Sequence, residues 1–154
     1  SENFTLPKVV FGASDAGAHL DSNDTFAFTT GLLASACRRF GAIGLERAVH
    51  HLTDKPARLI GLKQRGQLKQ GWHADVVVFD AETVGPGTTH TRTDLPANGF
   101  RLYSEPTGVH HVVVNGREII RDGQYLGKPA GTILRPGTDT YTVSIPAARE
   151  KEPA

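Results

Sequence analysis

The sequence predicts an α/β unit followed by an all-β unit. Three observations lead there. A short continuous apolar run at residues 8–13 ends in small and polar residues, apolar positions then recur at three- and four-residue steps as far as Leu52, and after Gly61 the chain turns to glycines, prolines and β-branched runs. The expected boundary lies near residue 62, with 1–61 as the α/β part, 62–146 as the β part and 147–154 as a charged, small-residue tail that should fray.

Taken in order, Lys8-Val9-Val10-Phe11-Gly12-Ala13 suits a strand of a parallel sheet, because layers covering both faces of such a sheet leave neither side to water. Its C-terminal end delivers Ser14 and Asp15. Residues 25–39 predict a helix with Phe28, Leu32, Leu33, Ala36, Cys37 and Phe40 on one face, Asp24 as N-cap and Gly41 as the stop. A second helix should run from Leu45 to Leu52, and Pro56 opens a further short turn that ends at Gly61. Two helices after one buried strand form the closing unit of a layered α/β fold.

Beyond Gly61, Val76-Val77-Val78-Phe79 reads as a strand, and residues 83–93 form a loop rich in Gly, Pro and Thr. In Val112-Val113-Val114-Asn115-Gly116-Arg117-Glu118-Ile119-Ile120, Asn-Gly separates two apolar runs and can take the positive φ angles of a type I′ turn, so an antiparallel hairpin is expected. Asp122-Gly123 and Pro136-Gly137 mark further turns.

The totals narrow the classes of function. With 154 residues, 38% hydrophobic and 21% charged, the chain can bury a core. Its 17 basic and 16 acidic residues are interspersed, for a net charge of +1, which leaves no basic face for nucleic acid or for an anionic membrane. Apolar stretches fall far short of the ~20 residues that span a bilayer. The single cysteine, Cys37, cannot form an internal disulfide, so a cytoplasmic setting is expected. No methionine occurs, even at position 1, and a processed or excised piece of a longer protein is expected.

Two segments bear a family likeness. Gly12-Ala13-Ser14-Asp15-Ala16-Gly17-Ala18-His19-Leu20 and Gly66-Gln67-Leu68-Lys69-Gln70-Gly71-Trp72-His73-Ala74-Asp75-Val76-Val77-Val78-Phe79-Asp80 resemble the closing elements of the amidohydrolase superfamily. Glu46-Arg47-Ala48-Val49 and Leu52-Thr53-Asp54-Lys55-Pro56-Ala57-Arg58 are similar to its last helices. Asp94-Leu95-Pro96-Ala97-Asn98-Gly99 resembles a loop of the N-acyl-D-amino-acid deacylase branch, and Val114-Asn115-Gly116 a late sandwich hairpin. The likeness spans about residues 8–135.

That resemblance implies the last β/α unit of a (β/α)8 barrel followed by part of a small β-sandwich. It implies a zinc-dependent hydrolase of linear amide C–N bonds acting on small N-acyl-D-amino acids. Asp15 would accept a proton from a metal-bound water and protonate the leaving amine. The His-x-His pair, the bridging ligand and the two later histidines of the family have no counterpart in this chain. Asp15 would therefore be a metal ligand only with upstream ligands, and the chain alone is expected to bind no zinc and to be inactive. Its partner would be the remainder of the barrel.

The residues admit other roles. Ser14-Asp15 before Ala-Gly is also good turn chemistry. His19 could orient Asp15, bind substrate or cap the following helix, while Asp21 and Asp24 read as helix-start carboxylates. The adjacent pairs His50-His51 and His110-His111 cannot chelate one ion, since neighbours diverge on a helix and face opposite ways on a strand. Cys37 reads as core, and Trp72, ahead of an expectedly buried strand, as packing. Two rival functions remain open: a non-catalytic association domain that pairs with itself through the bare edge of strand 8–13, and a cyclic-amide hydrolase or deaminase of the same superfamily.

Overall fold

The computed structural model describes residues 9–12, 14–15 and 18–143. Its helical part holds α1 (Phe28–Gly31), α2 (Leu45–Leu52) and α3 (Asp54–Ile60). A 3₁₀ turn, Thr25–Ala27, leads into α1, and a π-wound stretch, Leu32–Arg39, continues it, so the helix expected at 25–39 is one run of three windings. The Phe40 amide donates to Ser35 O at 2.9 Å, five residues back. This wider winding moves the last residues off the face that a 3.6-residue period defines: Phe40, expected in the core, is 67% exposed beneath the Arg39 guanidinium. Gly41 at φ 57° ends the run as expected, its amide donating to Cys37 O.

Two local expectations are corrected. Residues 9–12 form no strand, and Lys8 and Ala13 lie outside the described residues. A parallel strand needs ladder partners, and no described strand runs beside this segment. Phe11 packs on the helical core instead, its ring 4.9 Å from that of His51. Asp24 does occupy the N-cap position but its side chain makes no capping bond, because its carboxylate accepts from the Thr89 hydroxyl.

α2 matches the expected span, whereas α3 starts at Asp54, two residues ahead of the expected opening at Pro56, and Gly61 ends it as expected, in the left-handed region at φ 75°. Leu33, Ala36, Ile43 and Ala48 form the core together with Val84 from the β part, and Leu32, Cys37, Leu45, Leu52, Phe79 and Val109 pack around them. Arg38 closes this junction by donating to the carbonyls of Ala81, at 3.1 Å, and Val84, at 2.7 Å.

The β part comprises β1 (Val76–Phe79), β2 (Gly85–Pro86), β3 (His90–Leu95), β4 (Gly99–Tyr103), β5 (Pro106–Thr107), β6 (Val109–Val114), β7 (Arg117–Arg121) and β8 (Gln124–Tyr125). They form a four-stranded antiparallel sheet in the order β1-β6-β7-β8 and two separate antiparallel pairs, the β3-β4 hairpin and the β2-β5 pair that flanks it. Asn115 and Gly116, at φ 49° and 77°, make the expected two-residue turn between β6 and β7, and Asp122-Gly123 repeats it between β7 and β8. β1 is an edge strand, and Val77 and Val78 are about half exposed, so the buried strand expected after Trp72 lies open. Trp72 itself is half-buried under the Lys69 ammonium.

One polar cluster fastens the start of the β part to its main hairpin. The nearly buried Arg65 guanidinium pairs with Asp75 and donates to Asn115 Oδ1 at 2.7 Å, while Asp75 accepts from the Asn115 amide and Asn115 Nδ2 donates to Ala130 O. The Asp94–Gly99 segment that resembles the deacylase branch is the tip of the β3–β4 hairpin, closed by a two-pronged Arg101–Asp94 pair at 2.8 and 2.7 Å.

Candidate functional site

Asp15 follows the apolar segment that packs Phe11 on α2, and its carboxylate is exposed. Its backbone is held at two points. The Asp15 amide donates to Thr25 Oγ1 at 3.2 Å, and its carbonyl accepts from the Ala18 amide at 3.1 Å. Thr25 in turn donates to Asn23 Oδ1 at 3.1 Å. An exposed carboxylate on a pinned backbone is available for proton transfer to a molecule arriving from outside.

His19 lies on the same loop with its side chain exposed and its φ at 50°. Its carbonyl accepts from the amides of Ser22 and Asn23, both at 3.0 Å, so the turn is closed by its backbone and the imidazole is left to solvent. Asp21 is exposed, and Asp24 is half-buried against the β part.

The loop does not stand alone. Leu20 O accepts from the Leu102 amide at 2.7 Å, the Asp24 carboxylate accepts from Thr89 Oγ1 at 2.6 Å, and the Phe26 and Tyr103 rings lie 5.9 Å apart. Sequence reasoning missed Thr89, Leu102 and Tyr103. Their partners lie more than sixty positions away, and no local spacing signals such contacts.

The remaining histidines divide as their elements require. His50 faces Asp54 at 3.5 Å one helical turn on, whereas His51 is 2% exposed with its Nδ1 unpaired. Burial, then the nearby charges of Lys55, His50 and Arg47, push His51 below the usual histidine range. His111 contacts Glu118 at 2.7 Å, and His110 lies 3.8 Å from Asp122. Burial pushes the Cys37 thiol up, which leaves it a poor nucleophile.

Among the described residues, no three His, Cys, Asp or Glu side chains are grouped to hold one metal ion. A catalytic zinc generally takes three protein ligands, so the single carboxylate of Asp15 does not fit one.

Comparisons with known proteins bear on the same segments. Residues 6–120 match the model of the Amidohydrolase family. The chain is 35% identical over 128 residues to the N-acyl-D-aspartate deacylase of Alcaligenes xylosoxydans xylosoxydans, covering 80% of this chain and 22% of that protein. It is 38% identical over 106 residues to the N-acyl-D-glutamate deacylase of the same organism, covering 69% of this chain and 20% of that one. A solved N-acyl-D-glutamate deacylase from Bordetella bronchiseptica, complexed with zinc and a phosphonate inhibitor, is 33% identical and superposes with a TM-score of 0.47 over 69% of this chain and 19% of its own. The chain thus spans about a fifth of the length of the curated relatives it matches. The likeness read from residues 12–20 and 66–80 is borne out, and with most of its length matched to one family model the chain belongs to the amidohydrolase family.

Proposed function

We propose that this chain is the C-terminal portion of a hydrolase that cleaves the linear amide C–N bond of N-acyl-D-amino acids, with Asp15 as the carboxylate that moves the proton. The observation that supports it most is the 35% identity to an N-acyl-D-aspartate deacylase over 80% of the chain. The exposed Asp15 carboxylate on a backbone held by Thr25 supports the residue assignment.

Hydrolysis of an amide forms a C–O bond from water, breaks the C–N bond and moves one proton from the water to the departing nitrogen. A carboxylate can take that proton and return it as the amine leaves, and Asp15 is the residue to which the family likeness gives this role. Zinc is the metal implied by the resemblance, and among the described residues no group of side chains would hold it. On this reading its ligands, and the strands that would complete a barrel around residues 1–61, belong to sequence outside this chain, with residues 62–146 as part of an accompanying β-sandwich. The lone cysteine favours a cytoplasmic protein.

The test is turnover of N-acetyl-D-amino acids by the intact protein, with N-acetyl-L-amino acids and a hydantoin as comparisons. Asp15→Asn should lower kcat by on the order of a hundredfold or more, the size of a lost general base. The 154-residue chain alone should hydrolyse none of these substrates, with or without added zinc. Preferred turnover of the hydantoin would replace the linear-amide reading with a cyclic-amide one.

A further inference from the structure

We propose that the β3–β4 hairpin, with Thr89 at its entry, sets the position of the loop that bears Asp15, and that Thr89, Leu102 and Tyr103 act as positioning residues on Asp24, Leu20 and Phe26. Its catalytic consequence rests on the reading of Asp15 above.

Three contacts of different kinds meet the seven residues 20–26. The Thr89 hydroxyl donates to Asp24 Oδ2 at 2.6 Å, the Leu102 amide donates to Leu20 O at 2.7 Å, and the Tyr103 ring lies 5.9 Å from that of Phe26. The segment then reaches back to the site, because Thr25 Oγ1 receives the Asp15 amide at 3.2 Å. A shift of residues 20–26 is therefore passed to the Asp15 backbone. Asp24 shows where its carboxylate is used: it stands at the N-cap position, makes no capping bond there, and is turned to Thr89 instead.

The hairpin is braced for this task. Arg92 and Arg101 are directly opposite across the strands, an arrangement that like charges disfavour. Each has a carboxylate partner, Glu105 for Arg92 and Asp94 for Arg101, and both guanidiniums stack on the Tyr103 ring, at 3.8 and 4.8 Å. The ring that meets Phe26 is thus clamped from its own hairpin. A flexible surface loop would not need two ion pairs and two cation–π contacts around one tyrosine.

The experiment uses the intact protein and the variants Thr89→Val, Thr89→Ser, Tyr103→Leu and Asp15→Asn. Amide hydrogen exchange over residues 18–26 reads the coupling directly. Thr89→Val and Tyr103→Leu should each speed it by on the order of fivefold, the effect of one lost contact, with the melting temperature little changed, and Thr89→Ser should restore it. In the same Thr89→Val protein kcat should fall on the order of ten- to a hundredfold while KM moves less than about threefold, and in an Asp15→Asn background Thr89→Val should add nothing further. Unchanged exchange over residues 18–26 in both hairpin variants overturns the proposal, whatever the turnover. Faster exchange with wild-type kcat overturns the positioning role in catalysis. Wild-type turnover by Asp15→Asn overturns the reading of Asp15 instead, and the exchange result still decides whether the hairpin holds the loop.

Discussion

Thr89 and Asp24 are hydrogen-bonded at 2.6 Å although 65 positions separate them. That bond ties the loop after Asp15 to a β-hairpin, across the point where the sequence changes from helical to β character. Val84 makes a second tie in the same direction, since this residue of the β part is 1% exposed and completes a core otherwise built from helical-part residues.

His51 should make the fold acid-sensitive. Its folded pKa lies below the ordinary value of about 6.5, so above that value both folded and unfolded chains hold it neutral and its contribution is intact. As pH falls below about 6.5 the unfolded chain takes up the proton first, and stability is lost until the lowered folded value is passed. The urea midpoint of the wild-type chain should therefore drop between pH 7 and pH 5.5, and His51→Leu should flatten that drop. An identical slope in the variant would remove His51 as its source.

Glu118 should act in a lower window. A hydrogen bond from Arg121, then one from His111, holds its carboxyl down to about 2. Its contribution is full above the ordinary glutamate range and is lost as pH falls toward that value. Glu118→Gln should abolish the part of the acid-unfolding curve between about pH 4.5 and pH 2 that 0.5 M salt also weakens, because Arg121 is well exposed and its ion pair is screened by salt at roughly that strength. A variant that unfolds along the wild-type curve at both ionic strengths would contradict this.

Gly66 lies between α3 and β1 at φ 86°, and a Cβ placed there would lie 2.7 Å from Ala57 Cβ and 3.0 Å from Asp54 Cα. Gly66→Ala therefore meets backbone strain and overpacking together, and should cost about 2–4 kcal/mol. Gly71→Ala isolates the strain, since φ there is 81° with nothing within 4 Å, and should cost only about 1 kcal/mol. Equal losses of unfolding free energy at the two positions would show that the contact with Ala57 gives way at no cost.

What was legible in the sequence was what neighbouring residues decide. Leu45–Leu52 has helical periodicity between a preceding glycine and a following turn, and it folds as read. Asn115-Gly116 supplies the two positive φ angles that its turn needs. Residues 9–12 failed that kind of reading, because a parallel strand is made by its neighbours rather than by its own apolar run. The π winding at Leu32–Arg39 was likewise hidden, since a 3.6-residue template fits the same apolar positions. Asp15 was singled out as a candidate through a family likeness carried by adjacent residues. Its supports at Thr89, Leu102 and Tyr103 were not, because their contacts exist only once two distant segments have folded together.

The most direct test is the turnover of N-acetyl-D-amino acids by the intact protein with Asp15 and with Asn in its place, at matched zinc content. Deacylase activity is expected in the wild type, with a loss of kcat on the order of a hundredfold or more in Asp15→Asn. Wild-type turnover by that variant would contradict it.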